Sequence, residues 1–279
     1  MRVYLCAISN ISSGVCAQDC KFCTQSTKYK AQIERYKYKP IEHIVQEAHK
    51  AKAARAIGFC LVTAGRGIDD TILEFVCKAA RAVKKEVPQL SLIGCNGIAT
   101  TEQLKELKRS GIDNYNHNLE TAKSFYPHIC STHTWEERYQ TCLNAKEAGL
   151  RLCTGGIFGL GESQEQQNEF IDQIASLDPM SVPINFYHPN PSLPLPQTII
   201  PQEKALALIR KVRAKLPKAM IMVAGGRELV FQDSWPKILQ AGANAIVIGD
   251  YLTTKGERPD KDLQTLQKLG YEIASSCDE

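Results

Sequence analysis

The chain has 279 residues, enough for either one barrel-type domain or two ordinary domains. Its apolar fraction of 43% and charged fraction of 23% are typical of soluble globular proteins, and no apolar run approaches the length of a membrane-spanning helix. The net charge of +4 is small and the Lys and Arg residues are scattered, so the sequence does not indicate a nucleic-acid-binding protein.

The chain contains eleven cysteines, an odd number in a protein too long to need disulfide bonds for its stability. Its N-terminal segment, MRVYLCAISN, has too short an apolar stretch for a secretory signal. We therefore expect a reducing, cytoplasmic location in which the thiols serve metal binding or catalysis.

Short apolar strands alternate with amphipathic helices along the chain. After a first strand, VYLCAIS, and a cysteine-containing loop, Ile41, Ile44, Val45 and Ala48 share one face of a predicted helix, IEHIVQEAHKAKAA. The unit recurs seven times. Its later strands are IGFCLVT, LSLIGCNG, IDNYNHNLE, LRLCTGGIFG, SVPINFY, AMIMVAGG and NAIVIGD. Its later helices are DDTILEFVCKAARAVKKE, TEQLKELKRSG, WEERYQTCLNAKEAG, SQEQQNEFIDQIASL, PQEKALALIRKVRAKL, RELVFQDSWPKILQAG and KDLQTLQKLG.

Eight strand–helix units over about 250 residues predict a parallel (β/α)8 barrel, with residues 1–279 forming a single domain. Gly111 and Gly149 stand where helix C-caps are expected. A doubly wound open sheet is the alternative architecture. The Pro-rich segment YHPNPSLPLPQ is interpreted as one long loop after the sixth strand rather than a domain boundary.

Chemically distinctive residues stand near the carboxyl ends of these strands. In a barrel those ends converge on one mouth, so residues far apart in sequence would share one cavity. They are Cys60, Cys95, Asn116, Asn118, Cys153, Asn185 and Arg227.

The loop at about residues 10–28 places Cys16, Cys20 and Cys23 in a Cys-x3-Cys-x2-Cys pattern. Three thiolates can hold three irons of a 4Fe-4S cluster and leave the fourth iron open for a small molecule. The spacing resembles the signature of the radical S-adenosylmethionine enzymes, in which the methionine moiety binds that open iron. The alternative is a zinc site completed by an outside ligand such as Cys6 or His43.

The same resemblance implies cofactor contacts outside the cysteines. Phe22 matches an aromatic residue thought to meet the adenine, and the turn at Ala64 and Gly65 matches backbone groups that hold the methionine amino group. Arg138 matches an arginine aimed at the methionine carboxylate, and Asn118 and Glu120 fall where ribose contacts are expected. The family more often carries Asp at the position of Glu120.

The motifs SGVCAQDCKFCTQS, GFCLVT, LIGCNG, YNHNLET, RLCTGGIFGLGES and AGGRELV together resemble the biotin synthases. The resemblance implies a 2Fe-2S cluster, a sulfur donor held by Cys60, Cys95, Cys153 and Arg227. It implies that sulfur is inserted into dethiobiotin with two S-adenosylmethionine molecules per turnover. The amides of Asn116, Asn118 and Asn185 suit the ureido ring of that substrate.

The resemblance further implies a homodimer that takes electrons from a flavodoxin or ferredoxin. Two other functions remain open: a related radical enzyme acting on another substrate, and a non-enzymatic iron–sulfur protein. Simple packing or a surface thiol is the default role of the remaining cysteines, which are Cys6, Cys77, Cys130, Cys142 and Cys277.

Overall fold

Every predicted strand segment contributes β-structure in the computed structural model, which describes residues 2–277; the predicted domain range of 1–279 extends beyond it at both ends. The strands are β1 (Arg2–Asn10), β2 (Gly58–Val62), β3 (Ser91–Cys95), β4 (Asn114–Asn116), β5 (Arg151–Cys153), β6 (Gly156–Phe158), β7 (Ser181–Phe186), β8 (Met220–Val223), β9 (Ala245–Val247) and β10 (Glu272–Ile273). Each pairs in parallel with its neighbours.

The sheet closes on itself. Neighbouring strands pair in chain order, β5 and β6 both pair with β7, and β9 pairs with β1 through Tyr4 opposite Ala245. Counting β5 and β6 as one position, residues 2–277 form an eight-position parallel barrel, as the sequence predicts. The closing β1–β9 ladder excludes the doubly wound open sheet, which would leave two edge strands unpaired.

Helices follow the strands and cover the outside of the barrel. They are α1 (Ile41–Ala53), α2 (Asp70–Glu86), α3 (Thr101–Arg109), α4 (Trp135–Glu147), α5 (Gln164–Ser176), α6 (Gln202–Lys215), α7 (Arg227–Phe231), α8 (Lys237–Gln240) and α9 (Pro259–Lys268). Thr100, Thr134 and Ser163 begin α3, α4 and α5 with capping boxes. Gly111 and Gly149 adopt φ of 103° and 75° just after α3 and α4, which confirms the predicted C-caps. No helix within the described range is long and apolar enough to cross a membrane.

Two predicted elements are interrupted. The segment LRLCTGGIFG forms β5 and β6 rather than one strand, with Thr154 and Gly155 between them; at Gly155 the backbone oxygen of Pro183 occupies the space that a side chain would need. The segment RELVFQDSWPKILQAG forms α7, a 3-10 turn and α8 rather than one helix. Gln232 adopts φ of 45° and Pro236 lacks a backbone N–H, so a continuous helix cannot form there.

Two further strand boundaries differ from the prediction. The segment IDNYNHNLE is strand only over β4, and Glu120 at its end returns to the sheet through a single bridge with Gly156. The short strand β10, which the sequence analysis missed, pairs with the first residues of β1. It is only two residues long, too short to leave a periodic pattern.

Apolar side chains pack in two separate places. A large cluster fills the space between strands and helices, and a small one lies inside the barrel. The inner cluster consists of Cys6, Met220, Met222, Ala224, Ala245 and Val247, with Tyr4, Ile8, Ile93 and Tyr251 against it. The inner cluster therefore lies beneath whatever occupies the barrel mouth.

Candidate active site

A cavity of about 380 Å³ opens at the carboxyl ends of the strands. The structure brings eight of the predicted site residues to its wall: Phe22, Cys60, Cys95, Asn116, Asn118, Glu120, Cys153 and Asn185. The Pro-rich segment is one loop between β7 and α6, and its residues Tyr187, His188 and Asn190 close one side of the cavity. Residues more than 160 positions apart therefore share one space, as the barrel topology predicts.

Sulfur atoms line one side of this cavity. Cys60, Cys95 and Cys153 are joined there by Cys6 from β1, which the sequence analysis had assigned to packing. The Cys60 and Cys95 side chains hydrogen-bond each other, and that bond lowers the pKa of Cys95. Burial raises the pKa of Cys153 to about 12. We call these four residues the barrel set.

Three residues that line the same cavity carry polar atoms without a hydrogen-bond partner. The Oδ1 atoms of Asn116 and Asn118 and the hydroxyl of Ser181 are buried without a hydrogen-bond partner. Buried polar atoms normally have partners, so these three fit a polar ligand. The Asn116 amide nitrogen donates to Cys95 Sγ over 3.3 Å. Asn185 is already committed, since it donates to the Gly156 oxygen and accepts from the Gly225 nitrogen.

Arg227 lies outside the cavity. It begins α7 after a left-handed turn at Gly226, and its side chain is only 1% exposed. Its two terminal nitrogens donate to the two carboxylate oxygens of buried Asp262 over 2.8 and 2.7 Å, and its guanidinium stacks 4.8 Å from the Trp235 ring centroid. The structure thus contradicts the expectation that Arg227 completes a ligand set with the barrel cysteines, because Asp262 holds its guanidinium elsewhere.

The three cysteines of the loop set, Cys16, Cys20 and Cys23, lie within a compact turn. The Cys23 nitrogen donates to the Cys20 oxygen over 3.0 Å, and the Thr27 nitrogen donates to the Cys16 oxygen over 2.7 Å. Phe22 and Thr24, on either side of Cys23, line the central cavity. The loop set therefore adjoins the cavity that contains the barrel set.

A second segment, residues 130–133, contacts this loop and holds it in place; we call this segment the clamp. Asp19 accepts from the backbone nitrogens of Ser131 and Thr132 over 3.0 and 3.2 Å. Although burial alone would raise the pKa of Asp19, hydrogen bonds from the Ser131 side chain and backbone and from the Thr132 side chain hold it below its usual value. From the same segment, Cys130 Sγ lies 3.7 Å and His133 Nε2 lies 3.3 Å from Cys20 Sγ.

Cys20, Cys130 and His133 therefore form a buried group with metal-ligating atoms. The sequence analysis missed Cys130 and His133, although the Cys-x2-His spacing of CSTH is a signal for them. The outside ligands it named for a zinc alternative, Cys6 and His43, are not part of this group, since Cys6 lines the cavity and His43 is exposed on α1.

A chain of polar contacts leads from the clamp to the cavity wall. His133 Nδ1 lies 2.7 Å from the Tyr126 hydroxyl, which accepts from Arg138 Nε over 2.7 Å. Arg138 also donates to the Asn118 backbone oxygen over 2.7 Å and pairs with Glu120 over 3.4 Å. Its side chain is only 13% exposed, so Arg138 is a buried cation rather than a solvated helix charge.

Glu120 is held in an unusual backbone conformation. Its φ of 70° is rare for a residue other than glycine, and such strain often accompanies functional sites. A Cβ on Gly156 would lie 2.3 Å from the Glu120 backbone oxygen, so glycine is required for this close approach. Burial raises the pKa of the Glu120 carboxyl, and the Arg138 charge opposes that rise.

Ala64 and Gly65 do not line the central cavity. They follow β2, and the Ala64 nitrogen donates to the Ser12 oxygen over 3.2 Å, which places this turn beside the cysteine loop. A Cβ on Gly65 would meet only the Gly67 oxygen, at 3.9 Å, so one face of the turn is open. The predicted backbone role of these residues stays a prediction.

Two family descriptions match this chain: the Radical SAM superfamily over residues 10–174, and the Biotin and Thiamin Synthesis associated domain over residues 183–272. The protein named biotin synthase from a Nitratiruptor species is 80% identical over 279 residues, covering 100% of both chains. The biotin synthase of Aliarcobacter butzleri is 61% identical over 276 residues, covering 99% of this chain and 98% of that one. The chain belongs to the biotin synthase family.

Solved structures at low identity share the fold of this biotin synthase family member. Methylornithine synthase aligns with a TM-score of 0.83 at 20% identity, covering 99% of this chain and 85% of that one. The FeFe-hydrogenase maturase HydG from Carboxydothermus hydrogenoformans aligns with a TM-score of 0.85 at 18% identity, covering 99% and 69%. Membership in the radical S-adenosylmethionine superfamily implies an iron–sulfur cluster and S-adenosylmethionine as cofactors. The loop set, with three buried or half-buried thiols beside a cavity, fits both groups.

Proposed function

We propose that this chain inserts sulfur into dethiobiotin to form biotin, using a 4Fe-4S cluster on the loop set and a second iron–sulfur cluster, expected to be 2Fe-2S, on Cys60, Cys95 and Cys153. One observation carries the proposal: Phe22 and Thr24 of the cysteine loop line the same cavity as Cys60, Cys95 and Cys153. A radical generated at the loop could then meet a substrate that also contacts a sulfur donor. Reductive cleavage of S-adenosylmethionine supplies that radical, and the second cluster supplies the sulfur.

The loop set would bind one cluster through Cys16, Cys20 and Cys23 and leave one iron for S-adenosylmethionine. Arg138 would face the methionine carboxylate, a charge-assisted pairing. Glu120 and Asn118 would accept from the ribose hydroxyls. In support, Arg138 and Glu120 are both largely buried and paired with each other, so each is fixed in orientation before a ligand arrives.

The substrate would lie between the loop and the barrel set. Asn116 and Asn118 offer buried Oδ1 atoms without partners, which suit the N–H groups of a ureido ring. Asn185 would contribute less than the sequence suggests, because both ends of its amide are already hydrogen-bonded. The loop residues Tyr187 and His188 would exclude water from the reacting carbons.

We further propose that the reductant is a flavodoxin or ferredoxin, that the protein is a homodimer, and that it resides in the cytoplasm. The family resemblance supports the first two. The odd number of cysteines, eleven in a chain too long to need disulfide bonds, supports a reducing compartment.

The test is iron and sulfide content with Mössbauer spectra of anaerobically reconstituted protein, followed by turnover of dethiobiotin. Wild type should give two cluster signals. Cys16→Ala should lose the 4Fe-4S signal and cleavage of S-adenosylmethionine, whereas Cys153→Ala should lose the second signal and biotin formation but retain that cleavage. Cys77→Ala, which removes a core thiol outside both sets, is the matched control.

A single cluster signal that Cys153→Ala leaves unchanged would contradict sulfur insertion and favour a related radical enzyme acting on another substrate. Failure of the reduced, loaded wild type to cleave S-adenosylmethionine would favour the non-enzymatic iron–sulfur protein.

A further inference from the structure

Cys6 is the residue of the barrel set that no sequence motif assigns. It lies in the middle of β1, where Tyr4 and Ile8, two residues away on either side, also belong to the barrel interior. Because alternate residues of a strand face the same side, Cys6 points inward. Its side chain is buried, and it lines the cavity together with Cys60, Cys95 and Cys153.

The neighbouring strand brings the Cys6 sulfur close to Cys60. Cys6 pairs with Gly58 on β2, and a Cβ on Gly58 would lie 2.6 Å from Cys6 Sγ. The sulfur therefore fills the space that the glycine leaves free. Gly58 and Cys60 are two residues apart on one strand and face the same side, so the Cys6 and Cys60 side chains both enter the barrel interior from adjacent strands.

The barrel set lacks a fourth ligand if only the predicted cysteines are counted. Iron–sulfur clusters are generally held by four protein ligands, most often cysteine thiolates. Arg227 cannot supply the fourth without breaking its two hydrogen bonds to Asp262 and moving into the cavity. Met222 and Val247, which pack in the same inner cluster as Cys6, are apolar, and a thioether is a much weaker ligand than a thiolate.

We propose that Cys6 is the fourth ligand of the second iron–sulfur cluster, so that four thiols from β1, β2, β3 and β5 bind it. This inference rests on the proposed function, since it assumes that Cys60, Cys95 and Cys153 hold a cluster. It replaces the arginine expected from the family resemblance with a cysteine. The first three ligands come from the adjacent strands β1, β2 and β3. The strand β4 lies between β3 and β5, and its Asn116 donates a hydrogen bond to Cys95 Sγ and so fixes the position of that sulfur.

The experiment compares full-length wild type, Cys6→Ala, Cys6→Ser and Cys153→Ala after anaerobic reconstitution. Iron, sulfide and Mössbauer spectra are measured, together with cleavage of S-adenosylmethionine as a report on the loop cluster. Cys77→Ala is the matched control for loss of a buried thiol, and Cys277→Ala removes another thiol close enough to affect the pKa of Cys6. Cys6→Ala should lose the second cluster signal and retain the 4Fe-4S signal and the cleavage. Cys6→Ser should give a second signal with altered isomer shift, because oxygen replaces one sulfur.

The outcomes separate this inference from the function on which it rests. If Cys153→Ala loses the second signal while Cys6→Ala keeps it unchanged, Cys6 is not a ligand and only this inference fails. Loss in Cys277→Ala with retention in Cys6→Ala would move the ligand to the C-terminal tail and likewise overturn it. If neither Cys153→Ala nor Cys6→Ala changes any signal, the barrel cysteines hold no cluster and the proposed function fails together with this inference. A urea unfolding transition like that of wild type in each variant shows that the barrel has folded.

Discussion

The two cysteine sets are held in place by different parts of the molecule. The loop set lies within eight residues, and local hydrogen bonds together with the clamp from Ser131 and Thr132 fix it. The barrel set comes from four strands spread over residues 6–153, and only the register of the sheet brings its sulfurs together. A substitution near residues 16–23 should therefore disturb only the loop set. A substitution that shifts the strands relative to one another should disturb the barrel set.

The largest expected effect comes from a residue outside both sets. Asp262→Ala leaves the Arg227 charge buried with only the partly exposed Glu228 nearby, and breaking a buried ion pair costs about 3–5 kcal/mol. We expect the free energy of unfolding, measured in urea, to fall by about that amount. Asp260→Ala, which breaks a fully exposed pair with Arg258, should leave the free energy of unfolding nearly unchanged.

Asp262→Ala also tests whether Arg227 stabilises the barrel or contributes to the site in the cavity. If Asp262→Ala unfolds at the same urea concentration as wild type but loses the second cluster signal, Arg227 serves the cavity after all. The barrel set would then depend on an ion pair rather than on sheet register.

A second prediction tests the position of Cys6 without any cluster present. A Cβ on Gly58 would approach Cys6 Sγ to 2.6 Å, and overpacking of this kind costs about 1–3 kcal/mol. Gly58→Ala should therefore lower the free energy of unfolding, and less so in a Cys6→Ala background, where the sulfur is gone. The measurement is a double-mutant cycle by urea denaturation. Equal costs in the two backgrounds would mean that the Cys6 sulfur does not lie over Gly58.

The sequence was sufficient to predict the barrel and the loop set. Alternating strands and helices predicted eight units, because each pattern is local, and the loop spacing is a contiguous motif. It also placed Cys60, Cys95 and Cys153 at one mouth, since strand ends converge in a barrel. The side chain directions were harder. Arg227 was assigned to the cavity by its position after β8, yet the turn at Gly226 directs it outward.

The alternation of inward-facing and outward-facing residues along a strand predicts side chain directions that the comparison of motifs did not use. Met222 and Ala224 line the cavity, but Arg227 lies beyond the end of β8 and begins α7, so strand alternation does not place its side chain. The same alternation along β1 places Cys6 inside. Cys130 and His133 could not be placed by pattern, because their segment is irregular and Asp19, more than 110 residues earlier, determines its position.

A third prediction concerns the chain of contacts that links the two regions. Glu120→Gln removes the charge that pairs with Arg138, so the arginine should be less well oriented towards a methionine carboxylate. We expect the Kd for S-adenosylmethionine to rise about tenfold, equivalent to about 1.4 kcal/mol, with iron content unchanged. Binding to the loaded protein is measured by equilibrium dialysis. Glu136→Gln, which alters an exposed pair with Lys123, is the control and should leave the Kd unchanged. Equal affinity in wild type and Glu120→Gln would exclude Glu120 from the cofactor site.

The prediction with the smallest expected effect compares two thiols: Cys130, which lies near the loop set, and Cys6, the fourth thiol of the barrel set. Cys130 lies 3.7 Å from Cys20, the separation of two sulfurs on one tetrahedral ion, whereas Cys6 lies among sulfurs from other strands. If the loop set must leave one iron open, Cys130→Ala should retain the 4Fe-4S signal and lose only weak hydrogen bonds, worth about 0.5–1.5 kcal/mol.

The zinc content of aerobically purified protein is the measurement that could contradict this prediction. If wild type contains zinc and Cys130→Ala or His133→Ala does not, the loop holds a single ion through Cys20, Cys130 and His133. The two sets would then differ in the metal they bind as well as in how the fold supports them. We expect instead that Cys130→Ala and wild type contain the same iron and sulfide in the loop cluster, because three thiols from residues 16–23 suffice when the fourth position belongs to S-adenosylmethionine.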